Sequence, residues 1–581
     1  MTVTTDVLIA GAGPVGLTLA NFLGKYGVRA IVVEQLPSLI DYPRGVGLDD
    51  ESFRTIQSLG LAEEVLPFTV PQHVMRLVNG HGDVILTNDP KGEPYGWTRK
   101  HGFLQPEVDN ALYEGLARYQ GVEVRFAHTL TDIAEDADSV TATVEHTLED
   151  GSTETFEIVA KYLVGCEGGK SPTRKWMGVN FEGKSPSTRW VVVDVNNDPL
   201  GTPNVYLGAD PARPYVSIGL PHAVRRWEFM LFDDEPSEKV EDDAFVAELL
   251  KDHVPDSTKL DVIRRRVFTH HGRIASSFRK GRVLIAGDAA HLMPVWMGQG
   301  WNSGVRDATN LGWKLASVLK GHSDDRLLDT YTTERTDHAK AMIDLSMTFG
   351  SIIKPTDRKI AFLRDTAASA MNVLPQVKEY FTDMKFKPIP RYSSGVVVDQ
   401  KTLAPGRADA KVGGGRFIPF RNTVEKNSPV GLQIIQPRVN TATATNVRLD
   451  DVMGDWWTIA AWGNDPTRLL DPEDVKLFRR LGGTFVTFIS ETQRPWAEQE
   501  FGYSSTVVGD TTNALKTWFD VRSVGAVILR PDHFVAAACL AQDLPKAFHA
   551  TLEAAHATLA TVSSATPTAP VETTPSTTAR A

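Results

Sequence analysis

The pattern of apolar and polar residues near the N-terminus predicts a strand, a tight turn, a helix and a second strand over residues 6–34. DVLIAG is apolar and strand-like, PVGLTLANFLGKYG is helical in pattern, and AIVVE has the composition of a buried strand. Pro14 suits the opening of the helix, where the N–H group that proline lacks has no intrahelical partner. The segment is therefore typical of an α/β domain.

Short strands are predicted over residues 180–235. The runs RWVVVDV, NVYLG, PYVSIGL and RRWEFMLF are rich in β-branched and aromatic residues and are separated by turn residues, which favours an antiparallel sheet. The α/β pattern returns at VLIAGD near residue 283. A helix follows, with apolar residues at spacings of three and four: Val305, Ala308, Leu311, Leu315 and Leu319. We therefore expect a discontinuous first domain with a β-rich insertion.

The predicted structure changes twice in the C-terminal part of the chain, from helices to a mixed α/β unit and then to a disordered tail. Residues 325–390 are predicted to be helical, and the KPIPRY and GGGR stretches near 387 and 413 indicate a boundary. A second mixed α/β unit then extends to about residue 560. The final segment, TVSSATPTAPVETTPSTTARA, is poor in large apolar residues and is predicted to be disordered.

Composition narrows the class of protein. The 581 residues carry a net charge of −11, which argues against a general nucleic-acid binder. No apolar run approaches the roughly 18–20 residues that span a bilayer, so no membrane association is expected. Cys166 and Cys539 are the only cysteines, which makes a disulfide framework or a thiolate metal site improbable and indicates a cytoplasmic protein. His291 has no partner at ligand spacing, so no metal is expected.

The first chemical signal is the G-x-G-x-x-G pattern of Gly11, Gly13 and Gly16, with Pro14 between the last two. It follows a predicted strand and opens a helix, as the dinucleotide-binding fingerprint does. Phosphate groups could meet free N–H groups at the positive end of the helix there. Glu34 ends the second strand at the position of an acid that accepts hydrogen bonds from an adenosine ribose. The alternative interpretation is a plain glycine-rich turn.

The second signal is GDAAHLMPVWMGQGWNSG, which follows the strand-like run RVLIAG. Six residues of this loop are candidates for ligand contact: Gly287, Asp288, Pro294, Gly298, Gly300 and Asn302. The alternative interpretation is an ordinary surface loop with a helix cap. FAD is favoured over NAD, because the ribityl chain and isoalloxazine ring extend beyond a first βαβ unit and need such a distant element. Asp288 could accept from ribityl hydroxyls, with residues 298–302 beside the ring.

Together these motifs resemble the class A flavoprotein aromatic hydroxylases, which are FAD-dependent monooxygenases. GAGPVG is similar to their fingerprint, residues 282–316 to their second FAD motif, and CEGGKSPTR to a third in which Glu167 replaces the usual Asp. The resemblance implies an α/β fold: a Rossmann-like FAD-binding domain (1–178 and 276–392, with a helical segment), a β-rich substrate domain (179–275), a thioredoxin-like domain without CxxC (393–560) and a disordered tail (561–581).

Further stretches are similar to the 3-(3-hydroxyphenyl)propionate and 3-hydroxycinnamate hydroxylases: IDYPRGVGLDDESFRTIQSLGL, FEGK, RPYVSIGLPHAVRRWEFM and MPVWMGQGWNSG. This resemblance implies that NADH, or NADPH, reduces FAD and that a C4a-hydroperoxyflavin formed with O2 hydroxylates a phenolic acid to a 2,3-dihydroxy product. It also implies a homodimer. Open alternatives are another phenol (phenol, a chlorophenol, resorcinol or a polyketide), a flavin-binding protein without hydroxylase activity, and a plain NAD dehydrogenase.

The resemblance also suggests roles for single residues near the cofactor. Asp49 lies five residues before Arg54, as a functional Asp does in phenol hydroxylases, so it is the candidate catalytic residue, a base or acceptor near the hydroxyl of the phenol. The alternative is that it caps the helix that begins near Glu51. Arg44 and Gln105 are candidate FAD contacts, and a surface salt bridge is the alternative for Arg44.

Substrate contacts are suggested by residue type. A guanidinium suits a propionate group, so Arg225 and Arg226 are candidates, although neighbouring strand residues point to opposite faces. His222 is a candidate of the same kind. Trp296 and Trp301 could line an aromatic pocket, with core packing as the alternative. Met297 departs from the Gly or Gln expected there from the resemblance.

Overall fold

Strand Thr2–Ala10 lies inside a sheet, which explains why Val7 to Ala10 are buried. This computed structural model describes residues 2–372, 374–403 and 427–558. The strand pairs in parallel with Ala30–Val33 and Thr153–Gly165, and helix Pro14–Lys25 connects the first two strands. The predicted strand–helix–strand unit is therefore confirmed.

Other strands of this first sheet come from distant parts of the chain. Val122–Arg125 extends one edge, Val283–Ile285 and Arg279–Lys280 extend the other, and the hairpin His128–Glu135 and Val140–Thr147 pairs onto Thr153–Gly165. The predicted helix after residue 283 is confirmed as Gly300–Leu319. It packs against helix Pro14–Lys25, where Gly312 leaves room for Phe22.

A second sheet, called the cavity sheet below, contains the predicted short strands. Its strand order is Asp261–Thr269, Arg189–Asn196, Arg225–Leu231, Tyr215–Gly219, Val205–Ala209, Met75–Asn79 and Val84–Asn88. Pairing among the predicted strands is antiparallel, as expected. The last two strands lie outside residues 179–275, so the sheet also takes strands from the part of the chain before the expected insertion. The pairing between Met75–Asn79 and Val205–Ala209 is parallel and joins segments far apart in sequence.

Because successive side chains of a strand point to opposite sides, the cavity sheet has two different faces. Val191, Val193, Trp227 and Phe229 pack under helix Asp243–Leu250 and form an apolar core. Residues at the intervening positions, among them Val192 and Glu228, face the other way. That second face looks toward the first sheet and forms one wall of the cavity described below.

Two small sheets and several helices complete the N-terminal part. The sheets are Phe181–Lys184 with Gly272–Ala275 and His291–Leu292, and Gly47–Asp49 with Lys100–Phe103 and Thr69–Pro71. The helices are Asp50–Ser58, Ala62–Val65, Gln105–Glu114, Pro172–Met177, Asp329–Ile353, Arg358–Asn372, Pro375–Thr382 and Gln400–Leu403. The expected helical character of 325–390 is confirmed over most of its length.

The C-terminal unit is a mixed α/β layer, as predicted. Its sheet order is Val447–Arg448, Arg438–Asn440, Thr506–Asp510, Thr484–Ser490, Thr458–Trp462, Ala526–Leu529 and Val535–Cys539. Its helices are Asp450–Met453, Pro472–Arg480, Arg494–Phe501, Ala514–Arg522 and Leu544–Ala554. The expected boundary at GGGR and the predicted disordered tail lie outside the described residues. Of the helices that the structure describes, none is long and apolar enough to cross a membrane.

Buried ion pairs join the C-terminal unit to the rest. Arg530 donates to both carboxylate oxygens of Glu334 at 2.8 Å, and Lys314 donates to Glu334 at 2.7 Å. These three side chains are fully buried. Burial raises the pKa of Glu334, but Arg530 and Lys314 outweigh it and lower the pKa to about 2. The carboxylate is thus held ionised by cations from two parts of the chain.

Candidate active site

The two glycine-rich motifs meet at one cavity of about 1080 Å³, between the first sheet and the cavity sheet. It exceeds the roughly 300–1,000 Å³ of typical ligand pockets, so it has room for a dinucleotide and a second molecule. Many predicted site residues line it: Gly11, Gly13, Pro14, Glu34, Arg44, Asp49, Gln105, Glu167, Arg226, Asp288, Trp296, Gly298, Gly300 and Trp301. Six do not: Gly16, His222, Arg225, Gly287, Pro294 and Asn302.

The three glycines of the first motif have different surroundings. Gly11 has a φ of +105°, and a Cβ there would lie 2.6 Å from the carbonyl oxygen of Cys166. A Cβ on Gly16 would lie 2.0 Å from the carbonyl oxygen of Gly11. A Cβ on Gly13 would meet no protein atom within 4 Å, because this glycine faces the cavity. The turn thus leaves an open cradle beside the unsatisfied N–H groups of a helix start, which fits a pyrophosphate.

Glu34 lies where the fingerprint places the ribose acceptor. Its two carboxylate oxygens accept from the backbone N–H of Ala12 at 2.8 Å and of Leu36 at 2.9 Å. These bonds hold the carboxylate at the cavity wall. A carboxylate has about four acceptor positions, so two remain for sugar hydroxyls.

The second motif shapes the opposite wall through its backbone. Gly287 and Gly298 both have positive φ, at +62° and +61°. The side-chain amide of Asn302 donates to the carbonyls of Gly47 at 2.9 Å and Gly298 at 2.8 Å, and its oxygen accepts from the N–H of Asp49 at 3.1 Å. Asn302 therefore holds two cavity loops together rather than lining the cavity. Gly287 likewise contributes through packing, because a Cβ there would lie 2.7 Å from a methyl group of Val15.

Two polar side chains, those of Arg44 and Asp288, face the cavity and have few partners within the protein. The side chain of Arg44 is exposed and its guanidinium makes no hydrogen bond or ion pair with another described residue, so its charge is available to a phosphate. Asp288 also lines the cavity. Burial raises the pKa of its carboxyl group, and the nearby positive charge of Arg44 lowers it.

Gln105 and Trp301 order the same end of the cavity. The Gln105 side chain accepts from the N–H of Gly45 at 2.5 Å and donates to Asp109 at 2.9 Å, which fixes the loop that carries Arg44. Trp301 is buried with its ring edge-on to Phe103, at a centroid distance of 5.3 Å. Its Nε1 has no hydrogen-bond partner among the described atoms.

Glu167 stands where Asp is usual in similar proteins, and its side chain points into the loop that carries it. Its carboxylate accepts from the hydroxyl of Ser171 at 2.8 Å and from the hydroxyl of Thr173. Burial raises its pKa. The longer side chain thus braces the start of helix Pro172–Met177 while it remains at the cavity wall.

Arg225 and Arg226, the predicted substrate contacts on the cavity sheet, lie on opposite faces of it. Arg225 points away from the cavity, where it donates to Asp198 at 2.6 Å and to Ser217 at 2.9 Å. Arg226 faces the cavity but pairs with Asp194 at 2.7 Å. His222 lies on an exposed turn with a φ of +55°, away from the cavity. Arg225 and His222 therefore do not fit the expected role of substrate contacts.

Arg226 ties the cavity sheet to the loop of the first domain. Its guanidinium donates to the carbonyl of Arg44 at 2.9 Å and also to the carbonyl of Pro43. With Asp194 as its carboxylate partner, Arg226 is largely satisfied within the protein. The structure therefore gives Arg226 a role in holding two walls together.

Sequence reasoning missed Glu228, which lies two positions after Arg226 on the same strand face. Its side chain is 5 % exposed, it lines the cavity, and its Oε2 has no hydrogen-bond partner among the described atoms. Burial raises the pKa of Glu228 to about 7, against the opposing effect of Arg226. Alternation along RRWEFM could have signalled it, because Arg226 and Glu228 must share a face.

The residues next to Glu228 on this wall are apolar and aromatic. Val192, Val216 and Ile218 surround Glu228, and Trp296 closes one end. The Trp296 ring packs edge-on against Trp190 at 4.7 Å between centroids. Such a wall excludes water and fits the flat face of an aromatic ring.

Asp49 lies at the cavity edge with its carboxylate fully engaged. It accepts from the N–H of Ser52 at 3.0 Å, which makes it the cap of helix Asp50–Ser58, and from Lys387 at 2.8 Å and Arg306. Burial raises its pKa, but Arg306 and Lys387 hold it well below its usual range. The capping alternative is thus observed, and the geometry gives little support to proton acceptance.

Comparison with protein families gives two matches. A family profile described as FAD binding domain matches residues 4–346, more than half of the chain. A second profile, described as HcaD C-terminal domain, matches residues 431–554. The first match includes both glycine-rich motifs of the cavity.

Two named relatives are similar over nearly the whole chain. A 3-(3-hydroxy-phenyl)propionate/3-hydroxycinnamic acid hydroxylase of Mycolicibacterium smegmatis is 48% identical over 541 residues, which cover 93% of this chain and 92% of the relative. A protein of the same name from Paraburkholderia xenovorans is 45% identical over 565 residues, with coverages of 94% and 90%.

Solved structures share the fold. The flavin-dependent monooxygenase PieE, in complex with FAD and substrate, has a TM-score of 0.76 at 20% identity and covers 95% of this chain and 99% of its own. Aklavinone-11 hydroxylase with FAD and aklavinone has a TM-score of 0.72 at 24% identity, with coverages of 94% and 99%. The mixed α/β fold is therefore one that FAD-dependent monooxygenases adopt.

Proposed function

Because the chain belongs to the class A flavoprotein monooxygenases, the FAD-dependent aromatic hydroxylases, we propose that it hydroxylates 3-(3-hydroxyphenyl)propionate and 3-hydroxycinnamate. The products would be the 2,3-dihydroxy compounds, with O2 as oxygen source and NADH as reductant; NADPH is the alternative reductant. The observation that carries this proposal is a cavity that joins a pyrophosphate cradle to a wall on which apolar side chains surround the buried carboxyl group of Glu228.

The described residues fit FAD in both halves of the cavity. The turn at Gly13 and the cation of Arg44 would hold phosphate, Glu34 would hold the ribose, and Asp288 would hold the ribityl chain. When bound and reduced, FAD supplies the chemistry that activates O2. The protein would contribute orientation and the exclusion of water, through Trp296 and the apolar side chains of the cavity sheet that line the cavity, Val192, Val216 and Ile218.

The proposed carboxylate partner of the substrate is Arg266, which the sequence analysis did not name. Arg266 lines the cavity and is exposed, and its guanidinium makes no hydrogen bond or ion pair with another described residue. In the sheet it lies beside Val192, which in turn pairs with Glu228. A free guanidinium at the rim suits a propionate better than Arg226, which Asp194 already occupies.

Replacement of Arg266 tests this assignment together with the substrate class. Arg266→Gln should raise KM for 3-(3-hydroxyphenyl)propionate by about 10- to 100-fold, the effect of losing one charge-assisted hydrogen bond. It should leave KM for 3-methylphenol unchanged, because that phenol has no carboxylate. NADH consumption and hydroxylated product are measured for both phenols.

The matched control is Arg265→Gln, since Arg265 lies next to Arg266 but pairs with Asp243 outside the cavity. Equal losses with both phenols, or equal effects of both variants, would contradict the assignment of Arg266. Failure of the unmodified protein to hydroxylate any phenolic acid would contradict the proposed substrate class.

A further inference from the structure

We propose that Glu228 accepts the proton of the substrate's phenolic hydroxyl and so makes the ring more electron-rich before it is hydroxylated. This inference rests on the proposed function, because it requires a phenol in the cavity. It assigns the base to the cavity sheet, whereas the resemblance to phenol hydroxylases had suggested Asp49.

The register of the cavity sheet places Glu228 in the middle of the substrate wall. Val192 pairs with Glu228 on one side and with Arg266 on the other, and Val216 pairs with Glu228 from the next strand. Two strand spacings separate Glu228 from Arg266, which is about 10 Å. A meta-hydroxylated phenylpropionate has polar groups at its two ends, so its ring could lie on Val192 between the two side chains.

Glu228 has an acceptor atom that nothing in the described protein satisfies. Its side chain is 5 % exposed, and Oε2 has no hydrogen-bond partner. Arg226 approaches only Oε1, at 4.0 Å, while its guanidinium is held by Asp194 at 2.7 Å. Because a buried acceptor without a partner is unfavourable, the site is completed by a ligand that donates a hydrogen bond. A phenolic hydroxyl is such a donor.

The surrounding charges leave Glu228 able to gain and lose a proton near neutral pH. The charged groups on this face are Arg226 on the same strand, Asp194 on the neighbouring strand, Arg264 and Arg266 on the outer strand, and Arg44 on the facing loop. Burial raises the pKa of Glu228 to about 7, Asp194 acts in the same direction, and Arg226 opposes both. A base whose pKa lies near the working pH transfers protons efficiently.

Asp49 is less suited to the same step. Its carboxylate already accepts hydrogen bonds from Ser52, Lys387 and Arg306. Two of these donors are cations, so they hold its pKa well below the usual range although burial raises it. A carboxylate in that state accepts a phenolic proton poorly.

The proposed step is a proton transfer that balances within the cavity. The phenolic O–H bond breaks, its electron pair stays on the oxygen, and the proton moves to Oε2 of Glu228. After the neighbouring ring carbon has gained one oxygen atom of O2, that carbon loses its hydrogen as a proton, which goes to the second oxygen atom as that atom leaves toward water, and the ring becomes aromatic again. The phenolic oxygen takes back a proton from Glu228, so the carboxylate is regenerated for the next turnover.

The test is the pH dependence of product formed per NADH consumed, measured on the FAD-loaded Glu228→Gln variant. In the unmodified enzyme, hydroxylation should rise with pH through about 7, since the carboxylate must be ionised to accept the proton. Glu228→Gln should lack this rise and form roughly 100-fold less product, with hydrogen peroxide in its place. Glu238→Gln, an exposed carboxyl of the same region, is the matched control and should keep the rise.

Asp49→Asn separates the two candidate bases. If Glu228 is the base, the rise near pH 7 persists in Asp49→Asn and disappears in Glu228→Gln. The opposite pattern, or an unchanged profile in Glu228→Gln, would overturn the proposal. Bound FAD, seen in the visible spectrum, reports whether each variant is folded; if Glu228→Gln loses FAD, Glu228→Asp should keep the rise with a shifted midpoint, and its loss there would also overturn the proposal.

The proposed substrate and the proposed base can fail separately. If the unmodified enzyme hydroxylates a different phenol, the same pH comparison is made with that phenol, and the role of Glu228 is still decided. If it hydroxylates 3-(3-hydroxyphenyl)propionate but Glu228→Gln does so with the same profile, only the assignment of the base is wrong.

Discussion

At the scale of single residues, Gly13 and Gly16 must be glycine for different reasons. A Cβ on Gly13 would point into the cavity and meet no protein atom within 4 Å. A Cβ on Gly16 would lie 2.0 Å from a backbone carbonyl oxygen, which cannot move aside cheaply. One glycine is therefore required by the ligand and the other by the fold.

Substitution of each glycine should separate FAD binding from stability. Gly13→Val should fold with nearly unchanged Tm but bind FAD about 30- to 100-fold more weakly, because it displaces phosphate from backbone N–H groups. Gly16→Ala should instead lower stability by roughly 1–3 kcal/mol through overpacking. Thermal unfolding of the apoproteins and titration with FAD measure the two effects. A stable Gly16→Ala protein, or a Gly13→Val protein with full FAD affinity, would contradict this division.

The sequence predicted residue types well and their partners poorly. Two of the fingerprint glycines, Gly11 and Gly13, line the cavity together with Glu34 and Asp288, because short motifs place them next to a strand end. The cations that engage Asp49 are Arg306 and Lys387, which lie 257 and 338 positions away in the sequence. No local pattern shows such partners, so the capping and ion-pairing of Asp49 became visible only in three dimensions.

At the scale of elements, the hydrophobic periodicity of the sequence predicted the strands and helices, but it did not predict which strands belong to the same sheet. The predicted strands of residues 180–235 all form. The pairing of Met75–Asn79 with Val205–Ala209 was not predicted, because nothing in either segment specifies a partner more than a hundred residues away. The face of each strand was predictable from alternation, which correctly required Arg225 and Arg226 to point in opposite directions.

The ion pairs between helix Asp329–Ile353 and the C-terminal unit give a prediction about pH. The pKa of Glu334 is lowered to about 2 by Arg530 and Lys314 against the effect of burial. Its stabilising contribution is therefore complete above its unfolded pKa near 4.5 and is lost as the pH falls through about 2. The shift corresponds to roughly 3 kcal/mol.

Glu334→Gln should destabilise the folded protein by about 3–5 kcal/mol at pH 7, because it leaves two buried cations without a carboxylate. The variant's remaining stability should also vary less with pH between about 4.5 and 2. Asp344→Asn removes an exposed pair from the same helix and should change stability by less than about 1 kcal/mol. Urea unfolding at several pH values measures both. Equal effects of the two variants would contradict a structural role for the buried pairs.

At the scale of the whole molecule, the cavity exists because two motifs and one sheet converge from distant parts of the chain. Gly13, Asp288 and Glu228 belong to three separate segments, yet all line the same space. The two glycine-rich motifs predicted the first two and favoured FAD, and the resemblance to aromatic hydroxylases implied the same cofactor. Neither the motifs nor the resemblance predicted Glu228 or Arg266, which depend on strand register within the cavity sheet.

The central claim is that this cavity couples NADH oxidation to ring hydroxylation of a phenolic acid. The most direct measurement is the ratio of 2,3-dihydroxyphenylpropionate formed to NADH consumed, with purified FAD-loaded protein, O2 and 3-(3-hydroxyphenyl)propionate. We expect a ratio near one, with little hydrogen peroxide. NADH consumption that yields hydrogen peroxide and no hydroxylated product from any phenolic acid would contradict it.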